Sequence, residues 1–187
     1  MRVIAGKFRG RRLKGPGKLA LRPTSDQLRE TLFNILGPSV EDSLFVDVYA
    51  GTGAIGIEAL SRGAREVFFV ENHPASIKLV RQNLEALRLR GDVEILECDA
   101  ERGLARLAAR RLIADFIFLD PPYAEADEHE RILDFLDSSR LLAPLGMVIV
   151  EHSSKLELPD RLTKLERVRV KEQGDAALTF YRLARAA

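Results

Sequence analysis

Apolar residues in this chain fall into short dense runs separated by stretches with helical periodicity. Leu44–Val48, Val67–Val70, Val93–Leu96, Phe116–Leu119 and Met147–Val150 are nearly continuous in apolar side chains, which suits strands buried on both faces of a sheet. Between them lie helices predicted at Ala54–Arg62, closed by Gly63, and from Pro74 to about Leu89, with proline at the first helical position. Further helices are predicted at Glu101–Arg111 and from about Asp127 to Leu142. An earlier helix begins around Pro23–Gln27, where Thr24 and Gln27 have capping-box spacing. Leu28, Leu32, Phe33, Ile35 and Leu36 form its apolar stripe, and Gly37-Pro38 ends it.

The ending follows another pattern. Leu156–Lys164 is interrupted by Pro159, and two alternating segments, Leu165–Val170 and Ala177–Tyr181, flank Gln173-Gly174-Asp175. This predicts an antiparallel hairpin. The expected architecture is α/β and Rossmann-like: a mostly parallel seven-stranded sheet finished by that hairpin, the layout of class I methyltransferases. Dinucleotide dehydrogenases instead continue with parallel units.

At 187 residues the chain fits one such layer structure. Its apolar runs are too short to cross a bilayer, no signal-peptide pattern opens it, and one cysteine, Cys98, suits a reducing cytoplasm. Charge changes the picture more. Eight of the 29 basic side chains and none of the 28 acidic ones precede Asp26, which leaves the rest of the chain at −7. Residues 1–22 are therefore read as a small basic β extension, with Arg2, Lys7, Arg9, Arg11 and Arg12 as candidate RNA-phosphate contacts, and residues 23–187 as the main domain. Val3, Ile4, Phe8, Leu13 and Leu19 are interleaved with these charges, which a purely disordered tail would lack.

The first strand leads into VDVYAGTGAIG, Val46–Gly56. Glycines there allow close backbone approach to a ligand, and the following helix presents free amides. Gly51, Gly53 and Gly56 also satisfy G-x-G-x-x-G, so this loop alone leaves a nicotinamide or flavin open. Glu71, at the end of the second strand, is placed to accept hydrogen bonds from both ribose hydroxyls, and Asp99, ending the third, to meet an adenine amino group. Asp47 lies inside the first strand, where a carboxyl group needs a partner, and is read as helping to hold a methionine ammonium. With Tyr49, Thr52, Asn72 and Ala100 these residues form the expected site for S-adenosylmethionine.

The fourth strand runs into FIFLDPPY, Phe116–Tyr123. Pro121 and Pro122 end ladder pairing and stiffen the loop that presents Asp120. An exocyclic amine on a base is a poor nucleophile, because its lone pair is delocalised into the ring. The Asp120 carboxylate and the Pro121 carbonyl can each accept one of its N–H groups, and the Tyr123 ring can stack on a flipped base. The combined loops predict methyl transfer to such an amine.

Over almost its whole length the sequence resembles the RsmD family of bacterial small-subunit ribosomal RNA guanine-N2 methyltransferases. The resemblance is carried by MRVIAGKFRGRRL, RPTSDQLRETLFNIL, AGTGAIGIEALSRGA, FLDPPY and GDAALTFYRL. It departs mildly at Tyr49, where that family often has Phe. The resemblance implies S-adenosylmethionine as donor, one guanine as acceptor, and an assembled or assembling small ribosomal subunit as substrate. The residues themselves reach a base amine without naming guanine, so N6-adenine methylation of DNA or RNA stays open. No metal is expected, since His73, His129 and His152 are scattered and Cys98 has no ligand spacing around it. His152 reads as a polar strand end.

Overall fold

The computed structural model describes residues 1–17, 24–122 and 126–184. Within them, helices α1 (Asp26–Leu36), α2 (Ala54–Ser61), α3 (Pro74–Ala86), α4 (Ala100–Ala109) and α5 (Ala126–Ser138) alternate with strands β1 (Leu44–Val48), β2 (Glu66–Glu71), β3 (Val93–Glu97), β4 (Ala114–Leu119) and β5 (Leu142–Ser153). Strands β6 (Leu165–Gln173) and β7 (Ala176–Leu183) form the hairpin. The seven-stranded sheet has the order β3-β2-β1-β4-β5-β7-β6, parallel from β3 to β5 and antiparallel beyond.

Side-chain alternation along each strand divides the interior in two. Phe45, Phe69, Phe116, Phe118, Ile149 and Leu178 face α1, α2 and α3, whereas Val46, Val48, Phe68, Val70, Ile117, Leu119 and Val150 face α4 and α5. Both faces of the central strands are buried, which is why those strands read as unbroken apolar runs.

Element ends differ from the sequence expectation where single polar groups intervene. The cap of α1 is Ser25, whose hydroxyl accepts the Leu28 amide at 3.0 Å; the Thr24 hydroxyl donates elsewhere, to Glu151. Helix α5 stops at Ser138 instead of reaching Leu142, because the Ser138 and Ser139 hydroxyls bond back to the carbonyls of Phe135 and Leu136. Asp137 then accepts the amides of Thr163, Lys164 and Leu165, pinning the loop before β6. Strand β5 starts earlier than its apolar core suggests: it pairs at Leu142 with Ala114, bulges, and resumes at Met147 with Phe116. Helix α3 ends at Ala86 rather than Leu89, with Arg88 left-handed at φ 56°.

The basic segment is welded to the body. Val3 and Leu13 are buried in the core beneath α1–α3, and among the described residues of the segment, 1–17, the expected strands reduce to one bridge, Arg2 to Arg12, around a 3-10 turn at Gly6–Phe8; residues 18–22 lie outside the described residues. The Glu58 carboxylate on α2 accepts the consecutive amides of Ile4 and Ala5, at 2.8 and 3.0 Å. Ser61 accepts the Phe8 amide and donates to the Ala5 carbonyl, while Asn83 on α3 exchanges two hydrogen bonds with the Lys14 backbone. Arg29, fully buried, donates to the Arg2 carbonyl and to Asp26.

Gly6 is where the segment touches α2: a Cβ there would sit 1.8 Å from the Ser61 carbonyl oxygen, and φ is +78°. Gly10 has a similar φ of +80° but open space around it. Gly10→Ala should therefore cost about 1–2 kcal/mol from backbone strain alone. Gly6→Ala should cost clearly more and expose residues 1–14 to limited proteolysis, as read by urea unfolding and mass spectrometry. Equal costs would show that the contact is dispensable.

Candidate active site

The register Val48 to Leu119 makes β1 and β4 end side by side, so the glycine loop and the Asp120-Pro121-Pro122 loop leave the sheet as neighbours. The Asp120 amide donates to the Val48 carbonyl at 3.4 Å, which continues the ladder one residue past β4. Asp120 is half-buried, Pro121 buried and Pro122 exposed. Tyr123 lies outside the described residues.

In the loop after β1, Tyr49, Gly51 and Gly53 take left-handed φ values of 62°, 56° and 76°. Among the described residues a Cβ on Gly51 would meet only the Tyr49 carbonyl, at 3.8 Å, so they leave an open cradle on that side of the loop. Gly56 serves packing instead: a Cβ there would lie 2.4 Å from the Phe69 ring. Glu71 governs the loop. One of its oxygens accepts the Gly51 amide at 2.8 Å, and the other accepts the amides of Asn72 and His73. Two strand ends are thus tied through one carboxylate, which stands beside the open face of Gly51.

The other expected acids have partners that the sequence did not reveal. Helix α2 has no side-chain cap from its own flank, and Asp47 supplies one from the strand below, accepting the Gly56 amide at 2.9 Å. Burial pushes the Asp47 carboxyl up to about 8, against the lowering effect of that amide and with a further rise from the charge on Glu71. Asp99 caps α4 through the Arg102 amide at 2.9 Å and faces the Arg102 guanidinium at 3.5 Å. Ala100 is buried behind it and Asn72 is exposed. The Tyr49 hydroxyl donates to Glu128 in the first turn of α5, at 2.5 Å, and Glu128 also pairs with Arg131. Thr52 is buried, with its carbonyl accepting from Asn83, the side chain that also holds Lys14.

Arg2, Lys7, Arg9, Arg11 and Arg12 are all exposed on the welded segment. Arg2 lies 3.8 Å from Asp26, and Arg11 donates to the Ala86 carbonyl. Glu58, Ser61, Asn83 and Glu151 are polar residues of this region that sequence reasoning missed; none of them belongs to a motif that marks it out. His152 is the last residue but one of β5, and it is buried. Its Nδ1 lies 2.8 Å from the Ser153 carbonyl and must donate, so Nε2 accepts from the Thr179 hydroxyl at 2.7 Å. Burial lowers its pKa, in keeping with a neutral ring. Burial likewise raises that of Cys98.

The state of Asp47 yields a test. In the unfolded chain an aspartate titrates near ~3.9. Folding holds the proton to about 8, so between those values the native state binds more protons. Asp47 then removes stability as pH rises through this window, by at most about 1.4 kcal/mol per pH unit, and its effect is flat above it. Urea unfolding of Asp47→Asn should show an advantage over the parent that grows from pH 5 to 8 and then levels. A difference independent of pH would contradict the buried neutral acid.

Comparison with known proteins agrees with this geometry. A family model described as Conserved hypothetical protein 95 matches residues 1–182. The chain is 36% identical over 182 residues to YlbH of Bacillus subtilis, covering 97% of this chain and 98% of that protein. It is 34% identical over 181 residues to the ribosomal RNA small subunit methyltransferase D of Escherichia coli, covering 97% and 89%. Among solved structures, yhhF of Escherichia coli superposes with a TM-score of 0.84 at 33% identity, covering 98% and 97%. A hypothetical protein of Thermus thermophilus, TTHA0928, gives 0.84 at 29%, covering 98% and 99%. The sheet order, the two loops at its carboxyl edge and these likenesses agree: the chain is a class I methyltransferase of the RsmD family.

Proposed function

We propose that this enzyme transfers the methyl group of S-adenosylmethionine to the exocyclic N2 amine of one guanine in small-subunit ribosomal RNA. Its substrate on this reading is an assembled or assembling subunit in the cytoplasm. The observation that carries the reading is the Asp120-Pro121-Pro122 loop leaving the sheet beside the glycine loop, a carboxylate and a carbonyl next to an open cradle.

The residues present fit the cofactor. The free side of Gly51, with Gly53, Thr52 and Tyr49, suits the methionine part; Glu71 suits the ribose hydroxyls; Asp99, Asn72 and Ala100 line the position for the adenine. The ionised form of Asp47 is the one an ammonium group would favour. When bound, S-adenosylmethionine supplies an electrophilic methyl group on a sulfonium. The Asp120 carboxylate and the Pro121 carbonyl accept the two amine hydrogens and turn the nitrogen lone pair out of conjugation, while Tyr123 stacks on the base. The amine acidifies as the new C–N bond forms, and its proton leaves to Asp120 or to water. The exposed arginines and lysine of residues 1–14 hold RNA phosphates and set register without reading bases.

The deciding assay is transfer of tritiated methyl groups to undermethylated small subunits, naked ribosomal RNA and DNA, followed by nucleoside analysis. N6-methyladenine as product would replace the guanine reading. Asp120→Ala should lower kcat by about 100-fold or more, while the dissociation constant for S-adenosylhomocysteine stays within a few-fold. Near-native turnover would remove Asp120 from the reaction. Because Val3 and Leu13 are core residues, the basic surface is best tested by substitution. Replacing Arg9, Arg11 and Arg12 with alanine should make the salt dependence of RNA binding shallower, by about 0.7–0.9 in log–log slope for each lost contact. Cofactor affinity should not move, and an unchanged slope would deny the segment its phosphate role.

A further inference from the structure

Thr52 belongs to the glycine loop, and residues 1–14 hold it from two sides. Its hydroxyl donates to the Met1 sulfur at 3.8 Å, and its carbonyl accepts an N–H of Asn83 at 2.9 Å. The same Asn83 side chain accepts the Lys14 amide at 2.7 Å and donates to the Lys14 carbonyl at 3.1 Å. Its oxygen faces a donor and its nitrogen faces two carbonyls, so both N–H groups are used and the amide has a single satisfactory orientation. Asn83 is 1% exposed. The segment also closes on itself: Leu13 donates to the Met1 carbonyl, Val3 to Arg11, and Gly10 to Val3. It forms a clasp whose two ends land on Thr52, and Arg9, Arg11 and Arg12 stand exposed just before the second of them.

We propose that Asn83 is a positioning residue that couples RNA to cofactor: phosphates on the basic segment order the glycine loop through it, so each ligand tightens the other. This rests on the methylation reading above, which gives the loop the cofactor and the segment the RNA. Phosphates that hold Arg11 and Arg12 restrict the next two residues, Leu13 and Lys14, and with them the amide that carries Thr52. That amide has no cheap way to let go, because release would leave a buried carbonyl and a buried side chain without partners. Glu71 fixes Gly51 from β2, so the loop is held by the sheet at one residue and by the RNA segment at the next. A cofactor arriving at a loop already ordered meets less of the ordering cost, which couples two sites without a change of shape. Such coupling is reciprocal.

The test is calorimetric titration of the protein with S-adenosylhomocysteine, alone and with saturating small-subunit ribosomal RNA, at one ionic strength. This ligand lacks the sulfonium charge, so a net pull from the phosphates does not imitate the effect. RNA should lower its dissociation constant by about 5-fold or more, and the ligand should tighten RNA by the same factor. Asn83→Leu, close in size and unable to hydrogen-bond, should bring that factor to within about 2-fold of unity. A purely structural Asn83 would weaken the ligand equally with and without RNA and leave the factor intact, which overturns the inference. Coupling by direct contact between RNA and ligand would leave it intact as well. Hydrogen exchange on the parent protein needs no variant: RNA alone should slow the Gly51 and Gly53 amides by about 5-fold or more. Unchanged exchange there, or a parent factor of one, overturns the coupling. If the parent binds no small-subunit RNA or no S-adenosylhomocysteine, the methylation reading itself falls, a result distinct from binding of both without coupling.

Discussion

Burying a sheet on both faces leaves polar chemistry only the ends of its strands, and every amide that turns away from the ladder there needs an acceptor. In this protein carboxylates meet that need again and again. Glu71 takes three amides, Asp137 three, Glu58 two, and Asp47 and Asp99 one each in the first turn of a helix. These acids hold the loops in place. On the proposed reading three of them, Asp47, Glu71 and Asp99, would also meet the cofactor, so scaffold and ligand would draw on the same oxygens. Preorganisation of the glycine loop is thereby built into its support.

The segregation of charge gains its meaning from the same bonds. A run of arginines and lysines would repel itself and stay solvated if it were only a tail. Here its backbone is anchored by Glu58, Ser61 and Asn83, and Val3 and Leu13 go into the core. The cations are left on the outside of an ordered strip. On the proposed reading, phosphate binding to such a strip would not carry the ordering cost that a free tail incurs.

The sheet could be read from the sequence because burial on both faces erases polar positions, as in Phe116–Leu119 and Leu44–Val48. The hairpin could be read because β7 and β6 alternate around Gly174. Helix ends could not, since they turn on one hydroxyl: Ser25 rather than Thr24 caps α1, and Ser138 and Ser139 close α5 before Leu142. Motifs placed Asp120, Gly51 and Glu71, but not what those groups touch. Asn83 and Glu58 look like polar positions on helical faces, and only the folded chain shows that they face residues 53–69 positions away. Glu151 follows four apolar residues of β5, Met147–Val150, where the pattern gives no reason to look for a carboxylate.

Those separations also say something about how the protein comes into being. Ile4 waits for Glu58, 54 residues on, and Lys14 for Asn83, 69 residues on. At about 5–20 residues per second, the leading segment emerges several seconds before the helices that will receive it exist. Until α2 and α3 exist, neither the Glu58 carboxylate nor the Asn83 amide is in place to take those bonds, so residues 1–14 join the body late, as the fold around them closes.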